Sequence, residues 1–337
     1  MLKDYWYIAC RSKDLRKKPL SRQIMDCPLV LFRDHHGKAV VLEDRCRHRN
    51  SPLSNGKVCE GTIQCPYHGW RYHGDGSVAS IPAKPMDQRW KYPAGVKSYL
   101  CHESQGYVWI CLSNAPVSAK PTPFPYLGEP GWLSFRMKTR FNAGVDACLE
   151  NFLDCPHATY VHRGWFRSPT HKKVRVIVRT LEDGAEAEYF EEPREKSAVW
   201  SLLAPKKAQM KHTDRFIAPS TSRVDYNFSN GMHYSITSSC TPLENDVTEV
   251  FTVITFRIRW FGHLVRLYFK PLSKLIITQD VNVLNAQTNN LRKFGGSDYV
   301  VMDTDLLFKP IKHWREAMEN ELAPPAAGKE ECIELCL

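Results

Sequence analysis

Along residues 1–113 apolar positions fall in short runs or alternate with polar ones: YWYIAC, PLVLFRD, AVVLED, SYLCHE and YVWICL, parted by turns such as HHGK and HGDGS. Short segments of this kind, bounded by glycine and polar clusters, predict strands, and a series of them predicts an all-β domain. The next stretch, NAPVSAKPTPFPYLGEPGW, is dense in proline and reads as an extended connector. Past it the pattern changes. NAGVDACLENFLDCPHATYVH reads as helical, whereas KVRVIV, AEAEYF, DYNFS, MHYSIT and TEVFTVITFRIRWF read as strands, and a last helix is predicted to begin near Leu272. Antiparallel strands framed by helices make an α+β domain. The predicted divisions are 1–115, a linker at 116–132, a second domain at 133–325 and a tail at 326–337.

Two domains are also the natural organisation for 337 residues, which exceed one ordinary core. With 43% hydrophobic and 24% charged residues, the composition is that of a soluble globular protein. The start, MLKDYWYIACRSKDL, lacks the apolar run and small residues of a secretory signal, so a cytoplasmic protein is expected. WFGHLVRLYFKPLSKLII is apolar but broken by His263, Arg266, Lys270 and Lys274, too much charge for a membrane span. A packed strand and helix is expected there instead. The net charge of +10 would suit an acidic protein, an anionic substrate or nucleic acid, but no basic block or nucleic-acid motif accompanies it. No nucleic-acid partner is expected. Twelve scattered cysteines without a repeated frame argue against a disulfide scaffold. Cys332 and Cys336, four apart in the tail, could share a helix face, with no histidine near them.

Four other residues are spaced for metal chemistry. Cys46 and His48 stand in CRHRN, and Cys65 and His68 stand in CPYHGW, with sixteen residues between the pairs. Two thiolates and two imidazoles could hold zinc tetrahedrally, but zinc sites commonly draw two cysteines from one knuckle and two histidines from a helix. Here each loop offers one of each. That suits a 2Fe-2S cluster with thiolates on one iron and imidazoles on the other, because two opposed loops can each reach both irons.

A second group lies in ENFLDCPHATYVH. Glu150, Asp154 and His157 share a helix face, but His162, five residues past His157, is rotated from it by about 140 degrees in an ideal helix. The helix must distort or end if both imidazoles are to meet one metal, and Pro156, lacking an N–H for the carbonyl of Phe152, supplies a cause. Far downstream, Asp280 shares a largely apolar stripe with Leu284, Gln287 and Leu291. A buried carboxylate there is costly unless something compensates it.

These motifs together resemble the Rieske non-heme iron oxygenases. CPYHGWRYHGDGSVASIPA extends the likeness beyond the ligands, with Pro66 and Gly69 shaping the loop and Trp70 beneath it. The extra cysteine pair of respiratory Rieske proteins is replaced by Ser51 and Tyr67, which points to the oxygenase type. Asn151, Asp154, His157 and His162 match the family's mononuclear iron motif, and QDVNVLNAQ resembles its third-ligand helix, with Gln279 and Asn285 where acids are usual.

The resemblance implies a Rieske domain followed by a helix-grip (START-like) catalytic domain. It implies a cluster held by Cys46, His48, Cys65 and His68, and Fe(II) held by His157, His162 and Asp280 with a face open to dioxygen and substrate. Electrons would come from NAD(P)H through a reductase, sometimes with a ferredoxin. In a homotrimer, His68 of one chain would reach Asp154 of the next, which contacts His157. The length and the Asn-x-x-Asp-x-x-His spacing look like the vanillate and dicamba demethylase branch, so hydroxylation or oxidative demethylation of a small organic molecule is the implied activity. A cis-dihydroxylating dioxygenase and an electron carrier fused to a binding domain are the alternatives. Trp165 and Phe166 could touch substrate or belong to the core.

Overall fold

The computed structural model describes residues 2–84, 95–163, 165, 172–190, 208–258 and 262–336. Two compact units divide the chain, Met1–Pro123 and Phe124–Leu337. The first contains β1 (Tyr7–Arg11), β2 (Leu20–Ile24), β3 (Cys27–Arg33), β4 (Ala39–Glu43), β5 (Lys57–Cys59), β6 (Thr62–Gln64), β7 (Arg71–Tyr72), β8 (Val78–Ser80), β9 (Ser98–Ser104) and β10 (Tyr107–Cys111). A six-stranded sheet runs β1-β10-β9-β4-β3-β2, and a smaller one runs β5-β6-β7-β8. The small sheet is inserted between β4 and β9, and the two Cys-His loops precede β5 and join β6 to β7. Val30, Phe32, Leu42, Leu53, Ile63 and Tyr72 form a core that reaches the buried Cys46 and Cys65.

The second unit is built on one antiparallel sheet of β11 (Leu133–Phe141), β12 (Lys173–Leu181), β13 (Gly184–Phe190), β14 (Met210–Ile217), β15 (Thr221–Phe228), β16 (His233–Glu244), β17 (Val247–Arg257) and β18 (Glu330–Cys336). Its order is β11-β17-β16-β15-β14-β13-β12-β18. Among the described residues four helices accompany it: α1 (Val145–Leu153), α2 (His157–Tyr160), α3 (Gly262–Phe294) and α4 (Phe308–Glu319). Leu149 and Leu153 of α1, Leu284 of α3 and Ile311 and Trp314 of α4 close over Val176, Ala187, Phe216 and Val250 of the sheet. Each such side chain contributes about 1.5–3 kcal/mol by leaving water, so these residues dock the helices that carry the site.

The fold class read from the sequence holds, with corrections in detail. The last long helix begins at Gly262, ten residues before Leu272, and carries Pro271 inside it. The tail is a strand: β18 pairs with β12 from Lys173↔Cys336 to Arg179↔Glu330. Ile333 and Leu335 turn inward while Cys332 and Cys336 stay exposed, so the cysteines share a strand face and not a helix face. The period-two alternation in ECIELC carries that signal. No helix among the described residues is long and apolar enough to cross a membrane.

Candidate metal centres

The CPYHGW loop is closed by backbone bonds from the Cys65 N–H to the Trp70 carbonyl (2.8 Å) and from the Gly69 N–H to the Cys65 carbonyl (3.2 Å). Gly69 turns with φ +72°, and a Cβ there would press within 3.1 Å of Pro82, so glycine is the residue the turn admits. Cys46 and Cys65 are 1% and 2% exposed and unpaired. The His48 and His68 rings lie side by side with centroids 4.4 Å apart, and Trp70 stacks on His48 at 4.8 Å, nearly parallel. The Tyr72 hydroxyl lies 3.2 Å from Cys46 Sγ, and the Tyr67 and His68 N–H groups hydrogen-bond Cys65. His48 Nδ1 is buried with no hydrogen-bond partner, a cost that a metal bond would remove. Two buried thiols, two adjacent imidazoles and an orphaned ring nitrogen fit a 2Fe-2S cluster. His68 is exposed, as is Tyr67 beside it.

In the second unit, α1 ends at Leu153, and Asp154 is extended at φ −91°, ψ 102°. The expectation of one helix carrying both Asp154 and His157 is therefore corrected. Pro156 disfavours helical geometry at Cys155, and helix resumes only at His157, with Pro156 at its start. α2 stops at Tyr160, and His162 follows it in a turn. The break before His157 and the stop after Tyr160 let both rings face α3.

Each ring is anchored through Nδ1. His157 Nδ1 bonds the Asp154 carbonyl oxygen, and the Asp154 carboxylate lies 3.8 Å from the same nitrogen. His162 Nδ1 donates to Gln279 Oε1 at 2.9 Å. Both Nε2 atoms, left with lone pairs, approach Asp280 Oδ1, at 3.6 Å from His157 and 3.0 Å from His162. The three donors lie within 4.8 Å of one another. Asp280 is 5% exposed, yet its Oδ1 receives no hydrogen bond. Lone pairs converging on a buried anionic oxygen are stabilised by a cation, and two imidazoles with one carboxylate fit non-heme Fe(II).

Two hollows meet at this group. An inner cavity of about 160 Å³ is lined by His157, His162 and Asp280 together with Phe152, Val224 and Ile277. An outer cleft of about 610 Å³ is lined by Glu150, Asp154, His157, Tyr299 and Asp305. Asp154, His157 and Asn151 line both. Burial, with the charges of Asp146 and Asp305, pushes the Glu150 carboxyl up to about 7. Asn151 Oδ1 is buried without a hydrogen bond. Along α3, Leu284 and Thr288 are buried with Asp280, while Gln287 is exposed, so the interior stripe follows a spacing of four and leaves Gln287 outside it. Trp165 packs against the Phe135–Tyr234 core, and Phe166 lies outside the described residues.

Comparison with known proteins is decisive at the level of family. The Rieske [2Fe-2S] domain matches residues 5–99, and the vanillate O-demethylase oxygenase C-terminal domain matches residues 141–321, over half of the chain. The chain belongs to the Rieske non-heme iron oxygenases. It is 27% identical to chlorophyllide a oxygenase of Chlamydomonas reinhardtii over 97% of its own length and 50% of that protein. It is 32% identical to the oxygenase component of dicamba O-demethylase of Stenotrophomonas maltophilia over 48% of each chain. The chain thus spans about half the length of these curated relatives. The crystal structure of dicamba monooxygenase bound to dicamba has the same fold, with a TM-score of 0.82 at 22% identity over 95% of this chain and 98% of that one.

Gln279 is the partner that sequence reasoning missed. It stood out only as a departure from the family's usual acid, although it is next to Asp280 and 117 positions from the histidine it orients. Replacing it with leucine frees the His162 ring to rotate, and losing such an outer partner costs about 10–100-fold in metal affinity. Gln279→Leu is expected to raise the Fe(II) dissociation constant of this site by that factor, measured by competition with a chelator, with the 2Fe-2S absorption unchanged.

Proposed function

We propose that this Rieske oxygenase is the terminal component of a system that hydroxylates or oxidatively demethylates a small organic substrate, drawing electrons from NAD(P)H through a reductase or ferredoxin. The observation that carries the reading is the orphaned Asp280 Oδ1 between two Nδ1-anchored histidines, in a chain whose other unit carries the Cys-His pairs. When bound, the cluster would relay electrons and Fe(II) would supply the reductive activation of dioxygen. The protein's part is to fix each Nε2 by holding Nδ1, and to bound the reaction space with apolar side chains such as Phe152, Ile254 and Ile277. Those walls limit water near the site.

Asp154 is read as the residue through which His157 is reached from outside, since it lines the outer cleft and touches the ring. A head-to-tail trimer supplies what would enter the cleft. Arg47 and Arg49 are exposed beside His48, and the cleft carries Glu150, Asp298 and Asp305, a match of opposite charges that would steer the His68 tip of one chain to Asp154 of the next. None of the twelve cysteines is in a disulfide, which favours a reducing, cytoplasmic setting.

Iron content and isotope labelling test the reading. The oxygenase is expected to hold roughly three irons per chain, the cluster's pair and one more, and an electron carrier only the pair. With ¹⁸O₂, one labelled atom in the organic products supports the monooxygenase, whereas two support the dihydroxylating alternative.

A further inference from the structure

β14 brings a second histidine–carboxylate pair to the inner cavity. Alternation along MKHTDRFI puts His212 and Asp214 on one face, and they are 2% and 3% exposed. His212 Nε2 lies 3.0 Å from Asp214 Oδ1. The imidazole is stacked between Tyr189 and Tyr226, each with its centroid 4.4 Å away and within 16° of parallel. It cannot swing away, and it holds the carboxylate in place. Asp214 and His212 both line the cavity that His157, His162 and Asp280 line. Oδ2 of Asp214 makes no hydrogen bond to a described residue.

The surroundings decide what that oxygen accepts. No lysine or arginine is among the described residues lining the cavity, while Asp154, Asp214 and Asp280 all are. The rest of the wall carries the Asn151 amide, the three histidines and hydroxyls such as Ser238 and Thr252, which lie 2.9 Å apart and bond each other, and is otherwise largely apolar. Apart from the metal itself, a carboxylate-bearing ligand would meet three carboxyl groups and no lysine or arginine among the described residues that line the cavity. A ligand with an N–H would satisfy a buried, pre-positioned acceptor, and leaving such an acceptor unmet is what makes polar sites discriminate strongly. A cavity of about 160 Å³ holds one aromatic ring, since apolar voids of about 150 Å³ take up benzene.

We infer that Asp214, fixed by His212, is the specificity determinant of this oxygenase, and that its substrate is a small, ring-sized apolar molecule bearing an N–H donor. The inference rests on the oxygenase reading for what happens to the ligand but not for its binding.

Calorimetric titration of the iron- and cluster-loaded protein with benzylamine, aniline, toluene and benzoate tests it. Benzylamine is expected to bind at least about tenfold more tightly than toluene, and benzoate more weakly than toluene. Aniline distinguishes the source of the donor: a gain like that of benzylamine means a neutral N–H suffices, and a smaller gain means the site takes the protonated amine. Asp214→Asn is expected to erase most of the benzylamine preference while toluene affinity stays within about twofold. Should the variant fail to fold, the order of the four ligands on the native protein still decides. Benzoate binding as tightly as benzylamine, or an amine preference that survives in a folded Asp214→Asn protein, overturns the inference. Amine preference without labelled product from ¹⁸O₂ would leave the subsite standing and remove the oxygenase reading. Labelled product from donor-free substrates without amine preference would do the reverse.

Discussion

Asp154→Asn is expected to lower substrate-coupled NADH oxidation by at least roughly 100-fold while leaving iron content and cluster absorption unchanged. The carboxylate sits where the outer cleft meets the catalytic group, 3.8 Å from His157 Nδ1. The ring itself is held by the main-chain carbonyl of the same residue, which the substitution keeps. Asparagine preserves size and one acceptor oxygen but removes the negative charge and presents donors to whatever enters the cleft. The effect therefore falls on communication from the cleft to His157 and not on the iron ligands. Single-turnover experiments sharpen the test: with the cluster reduced beforehand, the variant should retain its electron in the cluster after oxygen and substrate are added. Turnover near the native rate would sink the assignment of Asp154, and the head-to-tail ring would lose its main support.

Where local pattern encodes structure, the sequence was readable. Short apolar runs such as PLVLFRD and YVWICL are strands β3 and β10, and the longer VFTVITF is part of the doubly buried β17. β14 escaped because MKHTDRFI places His212, Thr213 and Asp214 in the interior, so its polarity concealed its burial. That is the same feature that makes it chemically interesting. The break between α1 and α2 was half legible: Pro156 announces distortion, but whether helix ends before or after His157 depends on tertiary contacts. The Cys-His pairs advertise themselves by spacing. The assembly of His162, Gln279 and Asp280 joins residues more than a hundred positions apart, which no local periodicity specifies. There the family resemblance supplied the long-range information.

Asp280→Ala is expected to abolish substrate-dependent turnover and to reduce iron from roughly three per chain to the pair in the cluster. The substitution removes the only anionic donor of a three-donor group, whereas losing a mere outer partner already costs about 10–100-fold. Fe(II) affinity should accordingly fall by at least roughly 1,000-fold, about 4 kcal/mol. Protonation gives an independent check. In the metal-free protein, burial opposes charge on both partners, yet the imidazoles hold Asp280 below its usual range, and Asp280 and Asp154 hold His157 above its own. The Asp280 contribution to metal-free stability is present above its unfolded pKa and lost as pH falls through the lower folded value. The His157 contribution is present below its unfolded pKa and lost as pH rises through the higher folded value. Iron requires neutral imidazole, so protons compete with it and its affinity in the native protein should decline already as pH falls toward the raised His157 pKa. Without Asp280 the imidazole titrates lower, and the residual weak affinity should begin to decline at a lower pH than in the native protein. Iron retained at full stoichiometry in Asp280→Ala, or a decline at unchanged pH, would remove Asp280 from the metal and leave it a buried counter-ion of the two histidines.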